Sequence, residues 1–162
     1  MTDAFTLPEP YSRLSVNLAA TGALVTDPDG RVLMVKPHHN PHWTFLGGML
    51  DTGETPRAGC GREIKEEIGL DLPVGRLLLA DWAPPEGRRP LPLVYFLFDC
   101  GTLPGLDDVI LQEDELSDIA FLPPSEAAAR LAPHVAARLP AALAARDHHR
   151  TVWLPDAPTP TT

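Results

Sequence analysis

The chain has 162 residues, 44% of them hydrophobic, with a formal net charge of −9 and a pI near 5.0, which is the size of one domain with a core of its own. No window approaches the roughly 18 uninterrupted apolar residues of a membrane span, so no membrane partner is expected. The acidic balance argues against a nucleic acid polymer, whose backbone favours clustered Lys and Arg, but leaves room for phosphorylated small molecules whose charge a divalent cation offsets.

In chain order, residues 1–13 read as an N-terminal tail. Met1 to Pro10 carries Asp3 and Glu9 and has no basic flank before an apolar stretch, so no secretory signal is expected and a cytoplasmic location follows. The domain proper is expected over residues 14–150. Ser15 to Val25, then Asp27-Pro-Asp-Gly30, then Arg31 to Lys36 read as a β-hairpin around a turn. Trp43 to Leu46 is a short extended piece that ends at Gly47–Gly48. The best-defined helix follows, with Thr55 as its cap, Pro56 in the first helical position and Gly69 as the left-handed stop. Gly59 and Gly61 inside it each cost about 1 kcal/mol relative to Ala, so close packing or a ligand must hold it.

Leu77 to Trp82 and Leu91 to Asp99 read as strands joined by the irregular connection Ala83 to Pro90, and Ile119 to Leu122 as a last short strand. Ser125 to Leu131 reads as a helix. Pro133 to Ala145 reads as another, with Val135, Leu139 and Leu143 at four-residue spacing and Pro140 expected to kink or divide it. Residues 151–162 are Pro- and Thr-rich and read as a C-terminal tail. Strands mixed with helices that do not alternate regularly point to a layered α/β domain. Cys60 and Cys100 have no metal-ligand spacing and read as reduced, buried thiols.

The chemistry concentrates in Arg62-Glu63-Ile64-Lys65-Glu66-Glu67-Ile68-Gly69-Leu70. At 100° per residue and with Ile64 as zero, Glu67, Glu63 and Glu66 fall at roughly −60°, −100° and −160°. Cys60, Ile64 and Ile68 form the apolar stripe beside them. Three carboxylates so close repel one another on an isolated helix, and a hard cation bridged by their oxygens turns that repulsion into coordination.

Counting back, seven residues separate Arg62 from Glu54 and five separate Glu54 from Gly48, so Gly48 to Leu70 matches G-x5-E-x7-R-E-U-x-E-E-x-G-U, with U aliphatic, at every specified position. The chain thereby resembles the Nudix hydrolase family, over the box in full and more loosely over residues 15–147. The resemblance implies an α/β/α sandwich with a mixed β-sheet, and hydrolysis of a pyrophosphate linkage in a nucleoside diphosphate derivative (ADP-ribose- or sugar-nucleotide-like, or a nucleoside triphosphate). It implies Mg²⁺ as cofactor, with Mn²⁺ as the alternative ion. Glu63, Glu66 and Glu67 resemble the metal-binding carboxylates, with the Gly47 carbonyl and Glu115 as further ligands. Arg62 and Glu54 resemble the pair that steadies them. Glu63 is the favoured general base, and Glu113 and Glu115 are its alternatives. Leu46 stands where many relatives have Pro. A homodimer is compatible with the family but marked by nothing in this chain.

Outside the box the signals are weaker. Trp43, Trp82 and Tyr95 are candidates to stack on a base, against ordinary core packing. Lys36, Arg88 and Arg89 are candidates to pair with phosphate, against ordinary solvated surface. His38, His39 and His42 read as loop. The reading from a different class is a Nudix-fold sensor module that binds a nucleotide without cleaving it, which the complete box disfavours.

Overall fold

A computed structural model describes residues 6–156. Residues 1–5 and 157–162, within the two expected tails, lie outside the described residues. The elements are β1 (Leu18–Thr26), β2 (Val32–Pro37), β3 (Leu46–Met49), α1 (Pro56–Ile68), β4 (Leu77–Ala83), β5 (Leu93–Thr102), β6 (Leu116–Leu122), α2 (Pro124–Arg130), α3 (Arg138–Asp147) and β7 (Val152–Trp153), with three short 3₁₀ turns at Tyr11–Arg13, Pro133–Val135 and Leu154–Asp156.

One mixed sheet runs in the order β6-β2-β1-β5-β4-β7, with β3 paired to β1 off that path. Strand β1 is its axis, and Thr21 to Asp27 are all buried, as suits a strand covered on both faces. The expected hairpin forms, and Gly30 takes φ 81° in its turn, but β1 and β2 meet only at Thr26 and Val32. The stronger neighbour of β1 is β5, parallel to it from Leu18–Leu93 onward. Strand β3 takes the rest of the other edge, antiparallel, from Ala20–Met49 to Ala23–Leu46. The short piece expected to end at Gly47–Gly48 therefore continues through both glycines as a strand.

Helices cover both faces. Cys60, Ile64 and Ile68 of α1 pack with Ala23, Val25 and Phe98 on one side. Ala127 of α2 and Leu139, Ala142 and Ala145 of α3 pack with Leu24, Met34 and Leu97 on the other. This is the α/β/α sandwich. The helix expected over Pro133–Ala145 is a 3₁₀ turn followed by α3. Pro140 divides nothing: it is the third residue of α3, where an amide N–H has no intrahelical partner to lose. Within the stretch read as a C-terminal tail, Val152 and Trp153 pair in parallel with Leu79 and Ala80 of β4. Among the described residues no helix is long and apolar enough to cross a membrane.

Candidate active site

Helix α1 begins where Thr55 Oγ1 accepts from the Ala58 N–H at 3.2 Å and ends where Gly69 adopts φ 72°. Its far end is tied to the segment ahead of β6: the Ile110 N–H donates to Ile68 O at 3.0 Å and the Gln112 N–H to Glu67 O at 2.9 Å. That tie brings Glu115, one residue before β6, to the same side of the sheet edge as the acidic helix.

The carboxylates are buried in the order the helical geometry predicts. Glu67, nearest the apolar stripe, is 6% exposed, the Glu63 side chain 14%, and Glu66, farthest round, 48%. Glu67 Oε2 accepts from the Gly47 N–H at 2.9 Å. This contact depends on Gly47, which has φ 139° and lies so close to β1 that a Cβ would stand 2.0 Å from Thr21 O. Burial pushes the Glu67 pKa up to about 8, the Gly47 N–H pulls it back, and Glu63, Glu115 and Glu66 raise it further by repulsion. Burial also raises Glu63, partly offset by Arg62. Gly48 makes room for it, since a Cβ there would meet Glu63 Oε1 at 2.5 Å.

Arg62 is the hub. Its Nε and Nη2 grip Glu54 at 2.7 and 2.9 Å, its Nη1 bridges Glu63 at 3.1 Å and Glu66 at 3.0 Å, and Nη2 also donates to Met49 O at 3.1 Å. The Glu54 carboxyl, which also accepts from the Asp51 N–H, is held down to about 2 by that guanidinium. The geometry is the two-point fork that Arg makes and Lys does not. Gly59 lets the loop carrying Glu54 lie against the helix, because a Cβ there would meet Leu50 Cδ2 at 2.3 Å.

The donor set is all oxygen, the kind a hard cation takes. Among the described residues, however, no three acidic, His or Cys side chains are gathered as a ready ion site. Arg62 supplies the positive charge between Glu63 and Glu66. The residues suit Mg²⁺ in kind, with Glu67 an acid whose charge the protein itself compensates poorly.

Beside these groups lies a cleft of about 340 Å³, lined by Gly47, Gly48, Glu67 and Glu115 at one end and by Tyr95 and Arg138 at the other. Of the aromatic and basic candidates, only Tyr95 lines it. Lys36 Nζ donates to the carbonyls of Pro37 and Asn40. Trp43 packs on the core with the Arg130 guanidinium 5.3 Å from its ring. Trp82, 44% exposed, donates its Nε1–H to Asn17 Oδ1 and lines a separate groove. Arg88 is exposed in the β4–β5 connection, and Glu113 is exposed with its carbonyl at His38 Nε2, 2.8 Å away.

Sequence reasoning missed Arg138 and Asp81. They form a buried ion pair, Nε to Oδ2 at 2.8 Å, and the Arg138 guanidinium lies 4.1 Å from the Tyr95 ring centre. A signal existed: Arg138, Ala142 and Ala145 share one helix face at i, i+4 and i+7, so an Arg stands on an otherwise apolar stripe.

A family model described as the NUDIX domain matches residues 16–143. Among curated proteins, the chain is 28% identical over 132 residues to the MutT-like protein of Streptomyces ambofaciens, covering 82% of this chain and 80% of that one. It is 31% identical over 118 residues to the ADP-ribose pyrophosphatase of Methanocaldococcus jannaschii, covering 68% of each. Among solved structures, the MutT protein of Methanosarcina mazei Go1 superposes with a TM-score of 0.66 over 83% of this chain and 96% of that one, at 17% identity.

Proposed function

This chain belongs to the NUDIX domain family, and from that premise we propose that it is a Mg²⁺-dependent pyrophosphohydrolase that cuts a nucleoside diphosphate derivative. The observation that carries this reading is the Arg62 hub, which joins Glu54, Glu63 and Glu66 into one bonded unit at the cleft that Glu67 lines.

Glu63, Glu66 and Glu67, with Glu115 and the Gly47 carbonyl, are the groups that would hold the ion. When bound, Mg²⁺ neutralises charge on the phosphate oxygens and makes water a better nucleophile. The protein's own part is placement and proton transfer. Glu54 and Arg62 fix the acidic side chains against one another, and the Gly47 N–H fixes Glu67. Glu63 takes the proton of the attacking water at Oε2, the oxygen that Arg62 leaves unbonded, with Glu113 or Glu115 the alternative base. Water oxygen forms a bond to phosphorus, the bridging P–O bond breaks, and two phosphorylated products leave. Support for a nucleotide-like substrate also comes from relatives named ADP-ribose pyrophosphatase and 8-oxo-dGTP diphosphatase.

Substituting Glu66→Gln tests the reading, because it removes one carboxylate charge at nearly constant volume. Purified protein is screened against a nucleotide library, with Mg²⁺ and with chelator, and products are read by mass. Turnover of one nucleotide class is expected, lost with chelator and reduced by roughly 100-fold or more in the variant, since even outer-shell changes at metal sites cost about 10- to 100-fold. Retention of most activity in Glu66→Gln would remove the metal assignment. Tight binding without turnover would make the protein a sensor module.

A further inference from the structure

Arg138 is 7% exposed and lines the cleft from α3, which covers the sheet face opposite the acidic helix. Two of its bonding features are already committed: Nε donates to Asp81 Oδ2 at 2.8 Å, and the guanidinium plane rests on the Tyr95 ring. Within the described residues nothing accepts from Nη1 or Nη2, and neither atom is sealed from solvent. A fold that buries a guanidinium ordinarily satisfies all of its N–H groups. Here the two terminal nitrogens are held rigidly, by the ion pair and by the ring, on the wall of a cavity.

We propose that Arg138 is the specificity-determining residue for the base of the substrate and selects a 6-oxopurine over a 6-aminopurine. This rests on the hydrolase reading only in placing the diphosphate at the Glu67 end of the same cleft. Asp81 cancels the charge of Arg138, and Glu67 and Glu115 make the cleft acidic, so a second anion is a poor occupant for the fork. A neutral group with two adjacent acceptors is a good one. The O6 and N7 atoms of guanine or hypoxanthine are such a pair, and Arg engages them with both terminal nitrogens at once. Adenine keeps the N7 acceptor but presents an amino donor where O6 would be, so at one arm of the fork donor faces donor and one N–H goes unpaired. Tyr95 serves in this arrangement as the platform that holds Arg138 flat, and its face toward Arg138 is not free to stack on a base. The apolar walls Phe45, Leu131 and Val135 suit the rest of a purine.

The test is binding by calorimetry, with Mg²⁺, of guanosine, inosine and adenosine triphosphates in which both bridging oxygens are replaced by methylene. The intact protein should bind the guanine and hypoxanthine analogues about tenfold or more tightly than the adenine analogue, the size of one good two-point base contact. Asp81→Asn/Arg138→Met, which removes the pair together so that neither charge is stranded, should bring the three affinities to within about threefold, since the two-point contact is gone. Arg138→Lys keeps the charge beside Asp81 but loses the fork, and should give an intermediate ratio; it carries the test if the double variant does not fold. Equal binding by the intact protein, preference for adenine, no binding of any of the three, or the intact ratio surviving in either variant would overturn the assignment. Preference without turnover of any member of the nucleotide library would leave Arg138 in its role and remove the hydrolase reading. Turnover without preference would do the reverse.

Discussion

Arg62 and Glu67 face opposite electrostatic problems. Arg62 is ringed by carboxylates whose charge it offsets, and Glu54 below it stays ionised far into acid. Glu67 is a buried acid held by one backbone N–H and repelled by Glu63, Glu66 and Glu115. Its pKa is raised from 4.5 to about 8, so the folded state holds a proton that the unfolded chain has lost. Stability from this group is therefore complete below about pH 4.5 and falls as pH rises through about 8. Metal-free protein should lose stability over that window with a slope of up to about 1.4 kcal/mol per pH unit. Denaturant melts in chelator at stepped pH should show the slope in the natural chain and its loss in Glu67→Gln. An identical slope in both would assign the effect to other groups.

At the scale of elements, α1 carries two interior glycines for different reasons. A Cβ at Gly59 would meet Leu50 Cδ2 at 2.3 Å and the Arg62-bound Glu54 carboxylate at 2.9 Å, so both side chains would have to shift, whereas at Gly61 a Cβ would meet only Val74, at an ordinary 3.7 Å. Gly61→Ala should therefore stabilise the protein by up to about 1 kcal/mol through helix propensity alone. Gly59→Ala should destabilise it by about 1–3 kcal/mol, the range for overpacking, and should loosen the Glu54 loop. Urea melts of the two variants read the opposite signs, and a Gly59→Ala that stabilises as Gly61→Ala does would show that the packing around Gly59 does not matter. The close packing at Gly59 answers one half of what the sequence left open about this helix; the bonded Arg62 hub beside it answers more.

At the scale of the whole molecule, the sheet is ordered by pairings between residues far apart in the chain. The parallel β1–β5 pair joins Leu18 to Leu93, and the parallel β4–β7 pair joins Leu79 to Val152. Strand β7 extends the sheet beyond β4, and Val152 packs against the α2–α3 core. Truncation after Arg150 should lower the Tm by several degrees, as about 1 kcal/mol corresponds to roughly 2–4 °C for a chain of this size. It should leave the acidic end of the cleft, across the sheet, in place. A scanning melt against the full chain decides it, and an unchanged Tm would mean that β7 adds nothing to the fold.

Periodicity and short-range chemistry were enough to read α1, its Thr55 cap and Gly69 stop, the Gly30 turn and the placement of Glu67, Glu63 and Glu66 beside the apolar stripe, because each depends on residues within a few positions of one another. The box spacing from Gly48 to Leu70 carried the family for the same reason. What the sequence could not decide was which distant segments meet. That β1 takes β5 and β3 as its main neighbours, that Val152 and Trp153 form a strand, and that Trp43 and Lys36 are occupied elsewhere are outcomes of long-range pairing, in which many partners are locally equivalent. Arg138 and Asp81 belong to this second group: 57 residues apart in the chain, they acquire meaning only when the sheet and α3 bury them together, where an ion pair left in water would have told nothing.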